Sequence, residues 1–217
     1  MLGLFGGAFD PPHRGHVELA RRAKAELGLE RLVVLVEADP GHKRVETPAD
    51  VRLRLTQAAF PDDDVLLHDH ARSVDTLRAH PEWADSVFLI GADQFCDFPT
   101  WTEPDEVLRL TRLGVATRPG FPRERLESVL AGLEQPERVL FFEIEPIPVS
   151  ADCRDGFCGA WWHRPEAYLD PAVRAGTSVF QVLPEEEVSA AIEQLRRDLA
   201  DGTWVRRNAE LLKREET

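Results

Sequence analysis

A short apolar segment at the start of the chain leads into FGGAFDPPHRGH, residues 5–16. The glycine pair lets the backbone turn sharply and lets a ligand approach the main-chain amides closely. The helix predicted next, Gly15–Leu27, offers unpaired N–H groups and the positive end of its dipole to an anion. His13 and His16 are three residues apart, so both rings can point to the same side of the helix start. The stretch therefore predicts a phosphate-binding turn with two imidazole donors.

Apolar runs alternate with amphipathic stretches from the first residue to Pro146. Strands are predicted at Met1–Phe5, Arg31–Ala38, Asp64–His70, Ser86–Asp93, Leu113–Gly120 and Arg138–Pro146. Helices are predicted between them at Gly15–Leu27, Thr47–Phe60, Ser73–His80, Glu103–Arg112 and Arg123–Leu133, the second with Thr47 as N-cap and Pro48 at its first position. This alternation predicts an α/β fold, a Rossmann-like doubly wound parallel sheet with helices on both faces. Ligands bind such sheets beyond the carboxyl ends of the strands.

The last part of the chain is less regular. An amphipathic helix is predicted at Leu183–Gly202, and the charged tail Lys213–Thr217 is expected to fray. We predict a single domain over residues 1–217, with a core over 1–154. An irregular loop and a C-terminal helical segment fill residues 155–217.

Composition excludes several classes of function. The formal net charge is −13 and no basic stripe is present, so nucleic acid is not an expected partner. No apolar run approaches the ~18 residues of a membrane span, and Met1–Phe5 lacks the basic and long apolar regions of a signal peptide. An odd count of three cysteines suits a reducing compartment, which predicts a cytoplasmic location. Homo-oligomerisation stays open.

Several stretches carry a family resemblance, in order from Leu2 to about Arg154. GGAFDPPHRGH resembles the G-x-F-D-P-x-H-x-G-H signature of the HxGH nucleotidyltransferases, which have a Rossmann-like fold. IGADQFCDFPTW, ending at Trp101, resembles the G-A-D-x-x-x-x-x-P-x-W segment of bacterial nicotinate-nucleotide adenylyltransferases. SVDTL, GVATRPG, the pair His42-Lys43 and the helix arginine Arg52 also resemble features of that family. AGTSVFQVLPEEEV, which starts at Ala175, resembles its closing region.

The resemblance implies transfer of an adenylyl group from ATP to nicotinate mononucleotide, with Mg²⁺ held largely by ATP oxygens and water. It implies catalytic roles for His13, His16 and Lys43. It implies ATP contacts from Gly6, Gly7, Phe9, His13, Gly15, His16, Gly91, Asp93, Ser150 and Arg154. It implies acceptor contacts from Gly7, Ala8, Lys43, Thr76, Trp101 and Arg118. The ring of Trp101 offers a π-face for a pyridinium, and the hydroxyl of Thr76 offers a hydrogen bond to its substituent.

One segment departs from the family pattern. Where the family has I-S-S-T-x-I-R, this chain has PVSADCR, with Val149 and Ala151 in place of a serine and the threonine. Ser150 and Arg154 stay in register. Apart from this segment, the acceptor could also be nicotinamide mononucleotide or another phosphorylated molecule such as phosphopantetheine, because that choice depends on a few contacts to one carboxylate or amide. A third alternative is a catalytically reduced, nucleotide-binding regulatory protein.

Four further features allow two interpretations each. Arg52 and Arg118 could bind a phosphate or pair with neighbouring carboxylates. HDH, residues 68–70, could hold a metal but has no evident third ligand. Cys153, Cys158 and His163 are one ligand short of a zinc site and oddly spaced for one. We therefore predict no metal ligands from the protein.

Overall fold

The computed structural model describes residues 1–40, 45, 47–69, 72–154, 157–181 and 183–217. They divide into two units, Met1–Pro146 and Ile147–Thr217. The strands all belong to the first unit: β1 Leu2–Gly7, β2 Arg31–Glu37, β3 Asp64–His68, β4 Val87–Gly91, β5 Arg112–Thr117 and β6 Val139–Glu143. Its helices are α1 Arg14–Leu27, α2 Ala49–Ala59, α3 Ser73–Ala79, α4 Ala92–Asp97, α5 Pro104–Leu110 and α6 Arg123–Ala131.

The six strands are parallel and lie in the order β3-β2-β1-β4-β5-β6. This is the doubly wound order, in which the direction of chain progression reverses between β1 and β4. The carboxyl ends of these two neighbouring strands, at Gly7 and Gly91, flank the point where such folds bind ligands. The predicted Rossmann-like parallel sheet is confirmed.

Apolar side chains cover both faces of the sheet. Leu4 belongs to the apolar cluster on one face and the next residue, Phe5, to the cluster on the other. The alternation follows from the period of two along a strand. The apolar run of β2 from Leu32 to Val36 is buried throughout, as expected for a strand with helices on both sides.

The start of α2 differs from the sequence prediction. The helix begins at Ala49, so Pro48 takes the N-cap position and no side chain caps it. The predicted N-cap, Thr47, is therefore wrong by one residue. Its carbonyl instead accepts a hydrogen bond of 3.0 Å from Nε of Arg52. The helix start is held by the side chain of the helix's own fourth residue.

The second unit contains α7 Pro171–Ala175, α8 Glu185–Ala200 and α9 Thr203–Arg207. Its tail does not fray as predicted. Val149 and Thr217 exchange two main-chain hydrogen bonds, of 2.8 and 3.1 Å, and the N–H of Ala151 donates to Glu215. These bonds form a short antiparallel pairing, because the unpaired N–H and C=O groups of one extended segment match those of the other.

Candidate active site

The turn after β1 holds a residue in a strained conformation. Phe9 has φ +45°, a left-handed value that costs a non-glycine residue about 1–3 kcal/mol. Its ring is only 2% exposed and packs edge-on against Phe5 and His16, with centroids 5.4 and 5.0 Å away. Such strain persists where the surroundings over-determine it, and it is concentrated at functional sites. The packing therefore fixes the turn that leads to α1.

The two histidines of this turn stack at the start of α1. Their ring centroids lie 3.7 Å apart with 27° between the planes. The main-chain N–H of His13 donates to Nδ1 of His16 at 3.1 Å. This bond requires a lone pair on Nδ1, so the neutral His16 ring carries its proton on Nε2. The predicted sharing of one side by the two rings is confirmed, at the positive end of a 14-residue helix.

Arg52 reaches this turn from the buried face of α2. Its side chain is almost fully buried, at 1% exposure. The sequence allowed either a phosphate or a carboxylate as the partner of Arg52. In the structure its guanidinium instead donates to four main-chain carbonyls. The acceptors are the oxygens of Ala8 at 2.6 Å, Glu37 at 2.8 Å, Ala38 at 2.9 Å and Thr47 at 3.0 Å.

Two further predicted site residues meet beyond the ends of β4 and β5. Nη2 of Arg118 lies 3.7 Å from Oδ2 of Asp93 in the first turn of α4. Both side chains are well exposed, so the pair contributes at most about 1 kcal/mol to stability. Gly91 ends β4, and its N–H donates to Oε1 of Gln94 at 3.1 Å. These groups lie at the same edge of the sheet as the first turn.

Comparison with known proteins shows which family this chain is similar to. A family model described as cytidylyltransferase-like matches residues 4–187. The "Probable nicotinate-nucleotide adenylyltransferase" of Thermomicrobium roseum is 37% identical over 164 residues, which covers 69% of this chain and 76% of the relative. A protein of the same description from Rubrobacter xylanophilus is 33% identical over 167 residues, covering 69% and 77%. The chain belongs to the cytidylyltransferase-like family.

Membership of the cytidylyltransferase-like family agrees with the fold. The solved structure of Plasmodium falciparum nicotinic acid mononucleotide adenylyltransferase complexed with NaAD superposes with a TM-score of 0.53 at 18% identity. The match covers 69% of this chain and 76% of that one. The resemblance to nicotinate-nucleotide adenylyltransferases inferred from the sequence is confirmed by the curated relatives.

The predicted acceptor residues of this family member differ in availability. Trp101 is half-buried, with edge contacts to Phe98 at 5.3 Å and Phe88 at 6.4 Å between centroids. Thr76 is only 2% exposed, and its hydroxyl donates to the carbonyl of Arg72 at 3.2 Å, one helical turn back. A donor role for Thr76 toward a ligand requires this bond to break. Of the two side chains, that of Trp101 is the more exposed.

The segment that departs from the family pattern lies in the second unit. The hydroxyl of Ser150 donates to the carboxylate of Asp152 at 2.7 Å, and this bond holds the pKa of that carboxyl below its usual value. The indole N–H of Trp162 donates to the carbonyl of Val149 at 3.0 Å. Residues from the irregular loop therefore hold the main chain of this segment. Arg154 is exposed beside it.

Some predictions fall on parts of the chain that the structure leaves undescribed. Lys43, with the neighbouring His42, lies outside the described residues, as does the last histidine of HDH, His70. Within the described residues, no group of three or more His, Cys, Asp or Glu side chains could hold a metal ion. Cys153, Cys158 and His163 therefore do not form a three-ligand metal site.

A cavity of about 510 Å³ opens at the amino ends of β2 and β3, the opposite edge of the sheet. Its lining includes Phe60, His80 and Trp83. Among the described residues, none of the predicted site residues lines this cavity. Every helix that the structure describes is too short or too polar to span a bilayer.

Sequence reasoning named Arg52 but missed what it binds. The sequence shows only that Arg52 and Thr56 are four residues apart, which puts both on one side of the predicted helix. The structure shows that this side faces the core, because both residues are buried. Two polar residues on the core face of a helix need polar partners inside the protein. The identity of those partners depends on loops that meet only in the folded chain.

Proposed function

We propose that the protein transfers the adenylyl group of ATP to nicotinate mononucleotide, forming nicotinate adenine dinucleotide and pyrophosphate, a step of NAD biosynthesis. The observation that carries the proposal is the stacked pair of His13 and His16 at the start of α1, beside the strained Phe9 turn. The curated relatives described above as nicotinate-nucleotide adenylyltransferases support the choice of reaction.

The reaction needs positioning and charge stabilisation more than proton transfer. A phosphate oxygen of the mononucleotide forms a bond to the α-phosphorus of ATP. At the same time the bond between the α-phosphorus and the oxygen that bridges it to the β-phosphorus breaks, so pyrophosphate leaves. The attacking phosphate is ionised at pH 7 and pyrophosphate leaves as an anion, so no general base is required. Nε2–H of His16 and the ring of His13 donate to phosphate oxygens and stabilise the charge of the transition state. Gly6, Gly7, Gly15 and Gly91 keep side chains out of the nucleotide's way.

The remaining contacts that the family resemblance implies are also part of the proposal. Ser150 and Arg154 bind ATP phosphates, Asp93 binds the nucleotide, and Lys43 is a further cationic contact. Ala8, Thr76 and Arg118 contact the acceptor. Trp101 stacks on the pyridinium ring, an interaction worth up to about 2 kcal/mol where the ring is desolvated.

Mg²⁺ enters as part of the ATP substrate. We expect its oxygen ligands to come largely from ATP and water. A cytoplasmic location is also part of the proposal. It is supported by the three cysteines, Cys96, Cys153 and Cys158, which are free thiols.

Pyrophosphate release tests the proposal. Purified protein is given Mg-ATP with nicotinate mononucleotide, nicotinamide mononucleotide or phosphopantetheine in separate reactions. We expect the highest kcat/KM with nicotinate mononucleotide. A preference for another acceptor would reassign the substrate. Binding of ATP without turnover on any acceptor would favour a regulatory protein instead.

His16→Ala tests the role of the first turn. Losing one preorganised donor is expected to lower kcat by about 10²-fold with the fold retained, as monitored by circular dichroism. His80→Ala is a matched control, because His80 also stacks on an aromatic ring, that of Trp83 at 3.8 Å, but lines the cavity at the opposite edge. Its turnover should equal that of the wild type. If His16→Ala turned over as fast as the wild type, His16 would have no role in the mechanism.

A further inference from the structure

Arg52 connects three separate segments that border the candidate site. Its acceptors lie after β1, at the end of β2, and immediately before α2. The guanidinium has five N–H donors in a rigid fork, and four main-chain carbonyls accept from it. Because the side chain is almost fully buried, solvent screens these charge-assisted bonds little. The arginine therefore fixes the relative positions of the three segments.

Burial of this charge is not explained by stability alone. Apolar side chains of similar volume often replace buried charged groups without loss of stability, since desolvation offsets the attraction. The polar contacts of Arg52 do something that an apolar residue cannot do: they fix the direction of individual carbonyl groups. The shortest of them, 2.6 Å, is to the carbonyl of Ala8 in the turn that leads to His13.

The direction of that carbonyl sets the direction of the next amide. The Ala8–Phe9 peptide is trans, so its C=O and N–H point to opposite sides. Because Arg52 on the buried face of α2 holds the carbonyl oxygen, the N–H of Phe9 points away from α2. Phe9 is also the residue at φ +45°, so the peptide lies in a conformation that the chain would leave without restraint.

We propose that Arg52 is a positioning residue for adenylyl transfer, which holds the Ala8–Phe9 peptide with its N–H directed toward the bound phosphates. The inference rests on the proposed function. Arg52 acts through the main chain and itself contacts no substrate in this scheme. Its removal should leave substrate binding nearly intact and misplace the turn in the transition state.

Two variants and one control test the proposal. Arg52→Met keeps much of the volume and removes every donor, whereas Arg52→Lys keeps the charge but concentrates its donors on one nitrogen. Thr56→Val is the control, since Thr56 is also fully buried on α2 and, among the described residues, its hydroxyl bonds to the carbonyl of Arg52 one helical turn back, at 2.8 Å. Melting temperature, kcat and both KM values are measured for each protein.

We expect kcat of Arg52→Met to fall about 10²-fold, the order expected for a misplacement of about 1 Å, with KM values within threefold of the wild type. Arg52→Lys should recover part of the loss, and Thr56→Val should keep wild-type kcat. Hydrogen exchange over residues 5–16 should be faster in Arg52→Met than in Thr56→Val. Hydrogen exchange measures the stability of the turn's main-chain hydrogen bonds and needs no substrate.

The outcomes separate the two proposals. Wild-type protein that transfers no adenylyl group would contradict the proposed function, whatever the exchange rates are. Active wild-type protein, with Arg52→Met equal to Thr56→Val in kcat and exchange, would overturn the role of Arg52. If Arg52→Met does not fold, Arg52→Lys decides: wild-type kcat and exchange in that variant would overturn the proposal, and an intermediate kcat with faster exchange would support it.

Discussion

Substitution of Gly15 by alanine separates stability from activity. Gly15 is the second residue of α1 and lies beside the His13 ring. A Cβ at this position would lie 3.0 Å from both Cε1 and Nδ1 of His13. Favourable carbon contacts begin at about 3.5 Å, so the ring must move by about 0.5 Å. The exposed side of His13 gives it room to move.

The two effects of the substitution have opposite signs. Alanine has the better helix propensity, by up to about 1 kcal/mol, so the melting temperature should stay level or rise by about 2–4 °C in a protein of this size. The displaced ring should lower kcat/KM. A misplacement of 1 Å can cost about 10²-fold, so a shift of half that size predicts about tenfold, or about 1.4 kcal/mol.

Calorimetry and pyrophosphate release measure the two effects on the same sample. Gly132→Ala is the control, because Gly132 also has a negative φ at a helix end, and its added Cβ would meet Val129 only at an ordinary 3.5 Å. The control should change neither kcat nor KM. Gly15→Ala with wild-type kcat/KM would refute the role of the His13 ring position, and a large fall in melting temperature would refute the steric reasoning.

Two further substitutions test the acceptor site and the core. Trp101→Leu should raise KM for nicotinate mononucleotide by about 10- to 30-fold and leave KM for ATP unchanged, since stacking contributes up to about 2 kcal/mol; a KM within twofold of wild type would argue against stacking. Gly114→Ala should destabilise the protein by about 1–3 kcal/mol, because its Cβ would lie 2.7 Å from Leu89 and 2.8 Å from Val87. Thermal unfolding measures this, and an unchanged melting temperature would show that the core can relax around the added methyl.

The sheet and the histidine pair were predictable from local patterns. The buried run of β2 is apolar throughout, which is typical of a strand covered on both faces. The spacing of His13 and His16 predicts that both rings lie at the start of α1. Their stacking also depends on the extended backbone of His13 at the N-cap position, which helix geometry does not determine. The sheet prediction needs only the alternation of apolar and amphipathic segments along the chain, and the histidine prediction needs only the position of the helix start.

Contacts between distant segments were not predictable in the same way. The carbonyl acceptors of Arg52 lie on loops that meet only once the sheet has formed. The tail was expected to fray because its composition is charged, yet Thr217 pairs with Val149 through main-chain groups that composition does not report. Thr76 is a milder case, since its bond to the carbonyl one turn back is a common alternative for a helical threonine.

In the proposed reaction, an adenylyl group passes from ATP to nicotinate mononucleotide. ATP carrying radioactive phosphorus at the α position tests it most directly, with the products separated by chromatography. We expect label in nicotinate adenine dinucleotide and unlabelled pyrophosphate in equal amount, with both formed about 10²-fold more slowly by His16→Ala. Label that stays in ATP, or that appears only in AMP or ADP, would contradict it.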